Sequence, residues 1–123
     1  MRFFRQAEPD IFIAVGMLET EQDGIDWTVE YDSLLAQDRP FAVIVHVSEP
    51  PLPPAGKPMV LWLKARKAEL GRLVKTTLYV IEDAADRAQM QRTLPGRAEV
   101  SPYPMALAAS ETEAIEMARA SLG

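Results

Sequence analysis

The chain contains no cysteine and a single histidine, His46. The first absence removes disulfides, thiolate metal sites, thiol nucleophiles and iron–sulfur clusters together. The second excludes paired-histidine metal sites and leaves one obvious general base near neutral pH. Long apolar runs are also missing. The longest, Ile11 to Leu18, falls far short of the ~20 residues that span a bilayer. Glu8 and Asp10 precede it and Glu19 and Glu21 follow it, which a secretory signal core does not tolerate. The expectation is a cytoplasmic protein with no transmembrane segment. Basic residues are the scarcer charge, 13 Lys and Arg against 18 Asp and Glu for a net −5, which argues against a general nucleic-acid binder.

What is present fits a globular chain. Its 123 residues, 48% apolar and 25% charged, have room for one core of usual size, so residues 1–123 are expected to form a single domain. The one compositional break is Pro50 to Pro58, which carries five of the 10 prolines.

The pattern along the chain predicts alternating strands and helices. Arg2 to Arg5 and the Ile/Phe/Val-rich run Ile11 to Val15 flank the turn-forming Ala7-Glu8-Pro9-Asp10, which predicts an antiparallel hairpin. Asp26 stands as an N-cap before Trp27, Tyr31, Leu34 and Leu35, whose spacing lines one helix face. Phe41 to Val45 shows no polar alternation, as expected of a central parallel strand covered on both faces. A second helix is predicted over Met59 to Leu70 with Pro58 in its first turn. Thr76 to Ile81 reads as a strand. Asp83 caps a weaker helix to about Arg92, stopped by Pro95-Gly96. The last strand is Met105 to Ala108 or its rival Ala98 to Val100, and Ser110 with Glu113 predicts a capping box opening the final helix, with Ala114, Ile115, Ala118 and Leu122 on one face. The fold class is therefore α/β: a mixed, mostly parallel sheet of four or five strands with an N-terminal antiparallel hairpin and helices packed against it.

That order, with Arg39-Pro40-Phe41-Ala42-Val43-Ile44-Val45-His46-Val47, the Trp-bearing basic helix leading to Leu78-Tyr79-Val80-Ile81, and the closing Ser110-Glu111-Thr112-Glu113-Ala114-Ile115, resembles the STAS-like proteins, small bacterial relatives of the sporulation stage II anti-sigma-factor antagonist. The resemblance covers nearly the whole chain and rests on element order and apolar spacing. It implies a regulatory role in protein binding rather than catalysis. In the antagonists themselves a phosphorylatable Ser or Thr follows the central strand in an Asp-Ser-Ser/Thr-Gly motif. Here that stretch reads Val47-Ser48-Glu49-Pro50-Pro51. The motif is absent, and Ser48 is the only hydroxyl nearby.

Candidate chemistry is sparse. Gly56-Lys57 lacks the earlier glycine and the following hydroxyl of a phosphate loop, with Pro51 and Pro58 in those places, and no dinucleotide fingerprint occurs. No cofactor and no metal site are expected. His46 lies near the carboxyl end of the central strand, where open α/β sheets bind ligands; its plainer reading is a hydrogen-bonded packing residue. Pro50-Pro51-Leu52-Pro53-Pro54 has the Pro-x-x-Pro spacing of polyproline II ligands, or forms a stiff crossover loop.

Charge is uneven. Residues 1–56 carry three basic and ten acidic groups, 57–75 six and one, and 76–123 four and seven, for nets of −7, +5 and −3. Lys57, Lys64 and Lys67 form one stripe on a helical wheel, either a solvated face or a contact for an anionic partner. Trp27, Tyr31 and Trp62 are core residues or the lining of an apolar ligand pocket. Three functions follow in order of preference. The first is a self-associating or partner-binding STAS-like module using the Ser48 to Lys57 loop and the basic helix. The second is a carrier of a small apolar or lipid-like molecule near Trp27 and Trp62, and the third an enzyme using His46 with Ser48 or Glu49.

Overall fold

The computed structural model describes residues 1–48 and 50–123. Five strands form one sheet in the order β1 (Phe4–Glu8), β2 (Ile11–Ala14), β3 (Phe41–His46), β4 (Val74–Val80), β5 (Met105–Ala108). β1 and β2 pair antiparallel as a hairpin, and every later pair is parallel. Parallel neighbours require crossover helices, and the chain supplies α1 (Glu21–Leu35), α2 (Pro53–Ala65), α3 (Lys67–Leu73) and α4 (Ala84–Val100) between strands, with α5 (Glu111–Leu122) closing it. No helix among the described residues is long and apolar enough to cross a membrane.

Alternate residues of the central strand feed two separate cores. Phe41 and Val43 pack with Phe4, Phe12, Trp27, Tyr31 and Trp62 under α1 to α3. Ala42 and Ile44 pack with Ile11, Ile13, Leu78, Ala114 and Ala118 under α5. Coverage on both faces is why Phe41 to Val45 carries no polar alternation. On the α5 side the helix contributes the small residues Ala114 and Ala118 against Ile11, Ile13, Ile44, Leu78 and Val80 of the sheet.

Four helix boundaries differ from the sequence expectation, two of them at prolines. Helix α1 begins at Glu21, not at Asp26: Thr20 caps it by accepting from Asp23 N–H, and Asp23 returns the bond to Thr20 N–H. This capping box satisfies two first-turn donors at once. Helix α2 starts at Pro53, six residues before the expected Met59, because Pro53 and Pro54 occupy first-turn positions whose amides have no partner in any helix. The last two residues of the Pro50-Pro51-Leu52-Pro53-Pro54 segment are thus helix, and Leu52 is the extended N-cap before them. Pro58 sits inside α2 and turns its ring toward Gly24 of α1, where a β-carbon would come within 2.7 Å of Pro58 Cγ and overlap the Ala55 carbonyl. The bare glycine lets the two helices touch.

The helix expected from Met59 to Leu70 breaks at Arg66, which separates α2, with Lys57 and Lys64, from α3, with Lys67. Helix α4 runs through Pro95-Gly96 to Val100, so Ala98 to Val100 is helical and Met105 to Ala108 is the last strand. No residue of α4 is buried, so no packing constraint penalises the kink a proline introduces. The final capping box is half formed: Ser110 accepts from Glu113 N–H, while the Glu113 carboxylate accepts from Ala109 N–H instead of Ser110.

Candidate functional site

The parallel strands end at one edge of the sheet, where open α/β folds place ligands. Two spaces lie there, and a third opens beside β5. The first is a partly open, mainly apolar cavity of about 220 Å³ between α1, α2 and the sheet, walled by Trp27, Tyr31, Met59, Thr77, Tyr79 and Tyr103 among others. Gly16 joins the lining after β2 with φ +79, a left-handed turn that glycine adopts without penalty.

Tyr31 reaches the cavity from α1. Its ring is fixed by four aromatic neighbours, with centroids 4.8 Å from Trp62, 5.2 Å from Trp27, 5.2 Å from Phe4 and 6.2 Å from Phe41. Edge and tilted contacts of this kind hold a ring in one orientation, so the position of Tyr31 Oη is set by packing. Thr77 projects from β4, opposite Met105 of β5. Tyr103 is placed by a short turn: its amide donates to Ser101 Oγ (3.3 Å), and the Ser101 hydroxyl donates to the Tyr103 carbonyl (2.7 Å).

Two of these hydroxyls lack partners. Tyr31 Oη and Thr77 Oγ1 are fully buried, and neither makes a hydrogen bond among the described residues. Tyr31 is 2% exposed and Thr77 1%, so bulk water does not serve them. The Thr77 hydroxyl lies near the Tyr103 phenol without reaching hydrogen-bonding geometry. Burial pushes the phenols of Tyr31, Tyr79 and Tyr103 upward in pKa, and for Tyr31 and Tyr79 the neighbouring Tyr103 adds to the shift. All three stay neutral at physiological pH. The cavity therefore offers three uncharged phenols and the Thr77 hydroxyl inside a mainly apolar wall that His46 also joins, the composition of a small-molecule site.

The second space is a wide cleft of about 520 Å³ on the same edge, lined by His46, Ser48, Glu82, Asp83, Asp86 and Met90. His46 is half-buried, and its Nε2 lies 3.0 Å from Glu111 Oε1, a carboxylate that also meets Arg5 at 3.4 Å. Ser48 is exposed in the turn after β3. Among the described residues no hydrogen bond joins Ser48 to His46, so the nucleophile–base contact of a serine enzyme is not made in this structure. Glu49 lies outside the described residues. No three His, Cys, Asp or Glu side chains gather as a metal site among the described residues.

The third space is a groove of about 510 Å³ beside β5, flanked by Lys64 of α2, Lys67 of α3 and Arg97 of α4. Of the three lysines expected to act together, Lys57 is exposed but lies outside this groove.

Of the three aromatics, Trp27 and Tyr31 line the cavity and Trp62 does not. Trp62 is held in the core with its indole N–H donating to Asp32 Oδ1 at 3.0 Å, an oxygen that also accepts from Arg66 Nε at 3.0 Å. Sequence reasoning missed Thr77, Tyr79, Tyr103 and Arg97. The first two sat in a strand that was recognised, and the polar Thr77 in an otherwise apolar stretch was the available signal. Comparison with known proteins returns no matching family model, no matching curated protein and no matching solved structure.

Proposed function

We propose that this protein is a cytoplasmic binding module that takes up a small, mainly apolar molecule carrying one uncharged hydrogen-bonding group. The observation that carries the proposal is the pair of unpartnered hydroxyls, Tyr31 Oη and Thr77 Oγ1, in the wall of one apolar cavity. A buried polar group left unpaired costs about 1–3 kcal/mol. A fold that keeps two of them in one place is compensated when a ligand supplies the missing partner. Ordered water can do the same, and a titration distinguishes the two. Octanol should bind the wild-type protein and change the emission of Trp27, which lines the cavity. The Tyr31→Phe, Thr77→Val double variant should bind it at least tenfold more weakly. Equal affinity in the two proteins rejects the reading.

The second reading is a regulatory, partner-binding or self-associating module of STAS-like type, as the sequence resemblance implies. The mixed five-stranded sheet with its antiparallel first pair supports it. So do four large aliphatics of the α1 and α2 layer that stand in solvent, Ile25 at 37%, Val29 at 61%, Val60 at 49% and Leu61 at 59% exposure, since exposed apolar side chains in one layer mark contact surfaces. Analytical ultracentrifugation of wild type and a Val29→Lys, Leu61→Lys variant tests this. A concentration-dependent dimer abolished by the substitutions supports the reading, and a wild type that stays monomeric at high concentration removes self-association.

A further inference from the structure

The cavity at about 220 Å³ is smaller than the ~300–1,000 Å³ of sites that hold drug-sized ligands. It does not stand alone. Leu63, Tyr79 and Tyr103 line both the cavity and the basic groove of about 510 Å³ beside β5. One layer of side chains separates the two spaces. Tyr79 faces both: it lines the cavity together with Tyr31 and the groove together with Arg97.

The groove has a definite charge. Lys64, Lys67 and Arg97 come from three different helices, no acidic residue lines the groove, and among the described residues none of the three cations is in an ion pair. Between them lie apolar atoms of Val60, Val100 and Met105. In a chain of net −5, three unpaired cations converging on an apolar trough are a local exception. Their field favours an anion carried by a greasy body.

Granted that the cavity is a ligand site, on which this step rests, we infer that the ligand is an amphiphilic carboxylate with an uncharged hydroxyl or carbonyl at its far end. The far end pairs with the Tyr31 and Thr77 hydroxyls, the apolar body passes Leu63 between Tyr79 and Tyr103, and the carboxylate meets Lys64, Lys67 and Arg97. Leu63 is half-buried, and rotation of this one aliphatic side chain opens the path. Each end of the ligand meets a group that the protein alone leaves unpaired.

The test compares omega-hydroxyoctanoate with octanol, which share the apolar chain and the hydroxyl and differ in the carboxylate. Both are titrated at low salt into wild type and into a Lys64→Gln, Lys67→Gln, Arg97→Gln variant. All three positions are exposed, so the variant should fold as wild type does, which its circular dichroism and melting temperature verify. Wild type should prefer the hydroxy acid by about tenfold, the scale of a few partly exposed charge contacts. The preference should fall with added salt and disappear in the variant, while octanol affinity stays unchanged. Octanol binding without a preference for the acid overturns the inference and leaves the cavity reading standing. A preference that survives in the triple variant also overturns it. Binding of neither molecule overturns the cavity reading itself.

Discussion

Tyr31 of α1 and Thr77 of β4 bring hydroxyls to the same cavity, one from the helix layer and one from the sheet, and neither has a hydrogen-bond partner among the described residues. Their surroundings are otherwise well packed, with Tyr31 inside a cluster of four aromatic rings. Local loss of stability inside a consistent fold is the usual mark of a functional position. Several consequences can be measured.

Removing either hydroxyl should stabilise the ligand-free protein. Tyr31→Phe and Thr77→Val keep shape and delete an unpaired polar atom, so each should raise the unfolding free energy in urea by about 1 kcal/mol. A loss of stability in both variants means that the hydroxyls are satisfied by water, and the cavity is then a hydrated defect.

Gly24→Ala should destabilise the fold. The new methyl group would overlap the Ala55 carbonyl and come within 2.7 Å of Pro58 Cγ. Overpacking costs about 1–3 kcal/mol, and the gain in helix propensity returns up to ~1 kcal/mol. A net loss of about 1–2 kcal/mol in denaturant unfolding is expected, together with a displaced α2 and altered octanol affinity.

Acid should weaken the α1 cap. Asp23 accepts from the Glu19 and Thr20 amides and pairs with Arg2, which lowers its pKa from 3.8 to about 2. The folded value lies below the unfolded one, so the charged carboxylate stabilises the fold fully above pH ~4, and this contribution is lost as pH falls toward ~2. Asp23→Asn should flatten that part of a stability–pH curve recorded by thermal melting. An unchanged acid limb would show that the box does not hold the helix start.

Asp32→Ala should release Trp62. The carboxylate oxygen accepts from both the Trp62 indole and Arg66, so its removal leaves a mostly buried indole N–H without a partner. Trp62 emission should shift to the red and the urea midpoint should fall, whereas Asp32→Asn, which keeps an acceptor oxygen, should lie between. Octanol binding should persist in both, because Trp62 does not line the cavity.

Much of the fold was legible in the sequence because period and coverage are local signals. Phe41 to Val45 announced a strand buried on both faces, and Trp27, Tyr31, Leu34 and Leu35 announced the inner face of α1. Two boundaries failed at prolines, where Pro50 to Pro54 reads as a loop and Pro95-Gly96 as a stop. Pro53 and Pro54 lie in the first turn, where no amide bond is lost, and Pro95 lies in a helix that buries nothing. The site was half legible. Tyr31 was visible, but a core aromatic and a cavity wall share one spacing. Thr77 and Tyr103 meet only through the parallel register of β4 with β5 and the Ser101 turn, a long-range relation that no local pattern encodes.

The central claim is that the two orphaned hydroxyls await a ligand, and a crystal structure of the octanol complex tests it most directly. The account predicts the octanol chain inside the cavity beside Trp27 and Met59, with its hydroxyl about 3 Å from Tyr31 Oη and Thr77 Oγ1. Octanol-saturated crystals whose cavity holds only water, hydrogen-bonded to those same two hydroxyls, would contradict it.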